Sequence, residues 1–115
     1  MTNTVMKKAT AHFKDKLSGK LHKLHIEEWG VDIYYRSIAS MKTESKIMAL
    51  TQQGKSDEAL VETIILKALD KDGERLFSIG DRSALLNEVD PQIIIRIATA
   101  LNTASDMSLE EIEKN

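Results

Sequence analysis

The feature that most constrains this chain is a change of hydrophobic period near residue 40. Val31, Ile33 and Tyr35 alternate with Asp32, Tyr34 and Arg36, which is the period of two that an extended strand requires. From Met41 onward the apolar residues instead recur at three and four, the period of a helix. One element cannot satisfy both periods, so the chain must combine a small sheet with a helical body. With 115 residues it has the length of about one domain, and its single Pro and five Gly form no linker that would divide it.

A helix is also predicted before the strand. Val5, Met6, Ala9, Phe13 and Leu17 recur at helical spacing over 4–17 with lysines between them, and Ser18-Gly19 ends the pattern. A hairpin over about 21–36 follows, turning at Glu27-Glu28-Trp29-Gly30. Beyond it, Met41, Ile47, Met48 and Leu50 mark a helix to about Gln53, stopped by Gly54. Ser56 is the expected cap of the next, with Asp57 and Glu58 in its first turn, and Leu60, Ile64 and Leu66–Leu69 carry it to Asp70. The Asp72-Gly73 pair signals a turn, and Leu76–Ile79 reads as a short extended piece. Asp81 is expected to cap a brief helix through Leu85, Leu86 and Val89. Asp90-Pro91 opens the clearest helix, with Ile94, Ile97, Ala98 and Leu101 toward the core, Ile93 and Ile95 widening that stripe, and Asn102-Thr103 ending it. The reading is α+β and mostly helical: an N-terminal helix, a hairpin, and a four-helix C-terminal part. Residues 1–103 form one domain, and 104–115 read as a polar, flexible tail whose Ser108-Leu109-Glu110-Glu111 has the form of a capping box.

Charge divides the chain more sharply than its net value of −2 suggests. The first 25 residues carry six lysines against Asp15, leaving 10 basic and 17 acidic side chains for the remainder. Such a basic arm on an acidic body reads first as a solvated helix face, and otherwise suits an acidic partner. It suits nucleic acid poorly, since the arm has no Arg and Phe13 is its one aromatic.

Chemistry is sparse. The absence of cysteine removes thiol catalysis and thiolate metal sites. His22 and His25 stand three apart in extended chain, where they point to opposite faces rather than at one metal. Asp70, Asp72 and Glu74 are spaced like calcium-loop ligands, but Gly73 falls too early for the loop's glycine and Asp81 stands where a long bidentate Glu is needed, so a surface turn is the reading. No nucleophile elbow, phosphate loop or dinucleotide fingerprint occurs. No catalytic residue, metal or cofactor is therefore expected. Trp29 stands at a turn, where it either anchors a partner or packs on the helices, and of Tyr34 and Tyr35 one faces the core and the other outward.

The order of several segments resembles the tail assembly chaperones of long-tailed bacteriophages. These are Ile26-Glu27-Glu28-Trp29-Gly30 leading into Val31–Arg36, then Leu69–Phe77 followed by Asp81, and the Ile93–Asn102 helix ending in Ala-Leu-Asn; together they span roughly residues 20–103. The resemblance implies a non-enzymatic protein of the host bacterial cytoplasm. Its partner would be the tape measure protein, a long helical chain kept soluble until tail tube subunits enclose it. A longer form made by ribosomal frameshifting would recruit the major tail protein. Glu113-Lys114-Asn115 can be encoded by GAA-AAA-AAC, which contains a slippery heptamer. Candidate partner-binding residues are Phe13, Trp29, Tyr34 and Tyr35, beside the stripe of Val5, Met6 and Ala9, and self-association is a further expectation. Two other readings compete. Residues 81–102 have the outline of a helix-turn-helix, but Ile93, Ile94, Ile95 and Ile97 leave only Gln92, Arg96 and Thr99 to read bases. A structural head–tail connector subunit would instead form stable rings without any tape measure chain.

Overall fold

A computed structural model describes residues 3–114, with side chains through Thr103. Helix α1 spans Thr4–Leu17 and is capped by Asn3, whose side chain accepts from the Val5 amide at 2.8 Å. Strands β1 (His22–Ile26) and β2 (Val31–Tyr35) pair antiparallel, His22 opposite Tyr35 and Ile26 opposite Val31. The turn closes through Trp29 N–H to the Ile26 carbonyl and Gly30 N–H to the Glu27 carbonyl, and Gly30 takes the positive φ of 64° that a side chain resists. Four helices follow: α2 (Met41–Gln52), α3 (Ser56–Lys67), α4 (Arg82–Asn87) and α5 (Pro91–Lys114), with one 3₁₀ turn at Ile79–Asp81 before α4.

The expected α+β, mostly helical class and its order of elements are observed. One core serves all of it. Helix α3 packs against α2, α4 and α5, and α5 also meets β1. Ile26 and Ile33 from the hairpin join Val61, Ile64, Ile65 and Ala68 of α3, Leu85 of α4, and Ile93, Ile94, Ile97, Ala98 and Leu101 of α5 in one buried cluster. Alternation explains the sheet face: Leu24, Ile26, Ile33 and Tyr35 look inward, while His25 and Asp32 pair at 2.7 Å on the other side. The sole buried polar side chain among the described residues, Thr63, donates its hydroxyl to the Ala59 carbonyl at 2.9 Å.

Several local expectations are corrected. Ser56 is the first residue of α3 rather than its cap; Lys55 holds the cap position and supplies no side-chain bond. Helix α3 stops at Lys67, not Asp70. Leu69 leaves the helix to exchange two backbone hydrogen bonds with Tyr34, at 2.9 and 2.7 Å, so the hairpin edge captures a segment that periodicity alone assigns to the helix. The extended piece at Leu76–Ile79 is instead irregular chain entering the 3₁₀ turn. Asp81 precedes α4, but its carboxylate turns back to the Ser78 amide at 2.8 Å. Met41 and Met48 of α2 face solvent, and so does Ile95 of α5. Helix α5 continues past Asn102-Thr103 to Lys114, there being no Gly or Pro to stop it; the side chains of the expected polar tail, 104–115, lie outside the described residues.

The turn after α3 is built on Asp70, whose Oδ1 accepts from the amides of Asp72 and Glu74 at 2.9 and 3.0 Å, with Gly73 at φ 84°. A Cβ at Gly73 would stand 2.9 Å from Arg36 Nη2. Gly73→Ala is expected to cost about 1–2 kcal/mol, from the left-handed backbone and the displaced guanidinium, read as a lower urea midpoint. An unchanged midpoint would mean that neither constraint is felt.

Candidate functional site

Helix α1 is amphipathic yet buries none of its residues. Val5 is 70% and Met6 55% exposed, while Phe13 and Leu17, further along the same stripe, are half-buried. These two line an open hollow of about 290 Å³ with Arg36, Leu66, Leu69 and Leu101. The guanidinium of Arg36 donates to the Leu17 carbonyl, tying the end of α1 to the end of β2. So the stripe is anchored at its C-terminal end and open at its N-terminal end. Lys7, Lys8, Lys14 and Lys16 surround it, the last two in the final turn, where cations suit the helix dipole.

The residues singled out from the sequence do not gather at one spot. Phe13 lies at the open end of the hairpin, beside Arg36. Trp29 lies at its turn, five paired residues away and thus roughly 16 Å along the strands; there it packs partly against the core. Tyr35 also packs against the core and stacks on His22, ring centroids 5.3 Å apart. Tyr34, on the opposite strand face, is half-buried and bridges by its backbone to Leu69.

A second apolar hollow, of about 330 Å³, lies at the other end of the α3–α5 pair. Leu60, Val61, Leu86, Val89, Ile94 and Ile95 line it, with Asp57 at its rim. Sequence reasoning missed it by assigning Ile95 inward. At 3.6 residues per turn Ile95 stands about 130° from the mean direction of Ile93, Ile94, Ile97, Ala98 and Leu101, so the signal was present in the spacing.

The charged pairs lock elements rather than form a reactive centre. Lys67, with only 10% of its side chain exposed, reaches Glu44 at 2.7 Å and Asn102 Oδ1 at 3.1 Å, joining α3 to α2 and α5. Arg82 holds Glu62 at 3.0 and 2.6 Å. Arg96 clamps Glu28 through two bonds of 2.9 Å, fixing the hairpin turn on α5. That clamp and a backbone bond hold the Glu28 carboxyl down to about 2. Because the folded value lies below the ordinary 4.5, the contribution of the pair is complete above the ordinary range and fades as pH falls toward 2. A carboxylate NMR titration should find the Glu28 midpoint near 2, rising to the ordinary range in Arg96→Gln; equal midpoints in both proteins would show that the clamp does not persist in solution. Among the described residues no group of three His, Asp or Glu is placed to hold a metal, and no helix is long and apolar enough to cross a membrane.

No protein-family model matches the sequence, and no curated protein matches it either. A solved structure does. The tail assembly chaperone of bacteriophage HK97 superposes with a TM-score of 0.59 at 18% identity, over 83% of this chain and 95% of that one. The chain is thus similar in fold to a bacteriophage tail assembly chaperone.

Proposed function

We propose that this chain is a non-enzymatic phage tail assembly chaperone that works in the host bacterial cytoplasm. It binds the tape measure protein and keeps it soluble while tail tube subunits assemble around it. The observation that carries the reading is the lysine-bordered stripe of α1, left open on a body whose fold matches the HK97 chaperone. An exposed apolar stripe can cover the apolar face of a helical client, and the surrounding charge keeps the covered complex in solution. A longer frameshifted form would carry this body to the major tail protein.

Co-expression tests it. The tape measure chain should move from the pellet to the soluble fraction when this chain is present, and the two should copurify. A client equally insoluble with and without the chain would overturn the reading. The DNA-binding alternative meets a specific obstacle, because Ile93, Ile94 and Ile97 are buried and Arg96 is engaged by Glu28, which leaves Gln92 and Thr99 as the open polar side chains of 91–100 to read bases. A connector subunit would form rings whether or not the client is present.

A further inference from the structure

The hollow at the foot of α1 holds a guanidinium that lacks a counter-ion. Arg82 grips Glu62 and Arg96 grips Glu28, each through two hydrogen bonds, and Arg75 is exposed to water. Arg36 is half-buried, donates to the Leu17 carbonyl, and forms no ion pair among the described residues. The Asp70–Glu74 turn passes beside its Nη2 at Gly73, but Asp70 spends Oδ1 on the amides of Asp72 and Glu74. A guanidinium carries five N–H donors in a planar fork, so one carbonyl leaves it able to take a carboxylate as well. Lys67, the other charged residue of the lining, is already held by Glu44, and no acidic residue lines the hollow. We infer that this hollow seats an acidic amphipathic helix, with an apolar side chain between Phe13, Leu66 and Leu101 and a neighbouring carboxylate on Arg36.

Charge and shape around the hollow select that occupant. At 3.6 residues per turn Lys14 and Lys16 stand about 80° to either side of the Phe13–Leu17 direction, and Asp15 stands about 180° from it. Cations therefore flank the apolar floor, and the one acidic residue of α1 lies behind it. From Leu17 the stripe runs back through Ala9 and Met6 to Val5, a line of roughly 18 Å. Such a line fits the i, i+3, i+4, i+7 face of a partner helix whose own borders are acidic. The α1 of another copy, bordered by lysines, would set cation against cation. Taken with the function proposed above, on which this step rests, the seated helix belongs to the client, and the hollow makes the chain selective for the acidic segments of that client.

Fluorescence anisotropy with two labelled synthetic peptides tests it. Each has about 18 residues, long enough to hold helical form in water, with Leu at helical spacing and either Glu or Gln at every other position. The full chain should bind the Glu peptide about tenfold more tightly than the Gln peptide, and the preference should shrink between about 0.05 and 0.5 M salt. Arg36→Gln should abolish the preference. A purely structural role for Arg36, through its bond to Leu17, would instead weaken both peptides equally. Ser37→Glu, in the lining of the same hollow, leaves Arg36 in place and supplies it with a carboxylate from within the chain, so it too should remove the preference at an unchanged urea midpoint. A wild-type chain that binds both peptides alike would overturn the inference, as would either variant keeping the preference. No client enters this measurement. A tape measure chain left insoluble by the wild-type protein would sink the function proposed above while the peptide preference stood, whereas a client held equally well by wild type and Ser37→Glu would sink the assignment of the hollow and leave that function intact.

Discussion

Ile97→Ala is expected to lower the stability of the chain by about 3 kcal/mol and its melting temperature by roughly 10–15 °C, the largest effect of any single truncation considered. Ile97 is fully buried on α5, in the cluster that holds Ile26 and Ile33 of the hairpin and Ile64 of α3. Removing three carbons there loses their transfer energy and leaves a cavity that neighbours from three elements cannot all close. The control stands two residues away: Ile95→Ala removes the same atoms from a side chain 45% exposed, and should cost under about 1 kcal/mol. Urea and thermal unfolding of both variants read the contrast directly. Equal losses would mean that α5 sits in a different rotational register against α3, and the hollow lined by Leu60 and Ile95 would vanish with it.

The second large effect is functional. Val5→Glu with Met6→Glu should weaken tape measure binding by about 100-fold, because two apolar side chains worth roughly 1.5 kcal/mol each on burial are replaced by carboxylates. Stability should hardly move, since α1 contributes nothing to the buried core. Phe13 and Trp29 are weaker probes. Both are half-buried, and Trp29 packs against the core, so their truncation confounds a lost surface with a loosened fold. Soluble client yield and the urea midpoint, measured on the same double variant, separate the two. An unchanged client yield would move the holding surface away from α1.

Much of this architecture was legible because local chemistry and tertiary packing agree. Helix α1 begins and ends where its pattern and Ser18-Gly19 place it, and the hairpin turns at Gly30. At Asp90 the side chain accepts from the Gln92 amide at 2.9 Å, as the Asp-Pro pair implies. Illegible features depend on partners distant in sequence. Nothing near Leu69 announces that Tyr34 will take its backbone, and Glu28 and Arg96 meet across 68 positions. The candidate site divides in the same way: the α1 stripe is written in spacing, whereas the second hollow exists only after α3, α4 and α5 have packed.

That α1 buries none of its residues also sets how it exchanges its amide protons with solvent. An isolated helix of 14 residues is marginal in water because nucleation is costly and each further turn adds little. The α1 amides should therefore open through local helix–coil fluctuation, while those of α3 and of the buried Ile93–Leu101 stretch of α5 wait for global unfolding. Any partner that covers the stripe must leave before the first set can open, whereas it reaches the second set only by raising the free energy of global unfolding. Deuterium uptake over residues 4–17 thus becomes a built-in gauge of occupancy, readable without a label and without identifying the partner beforehand.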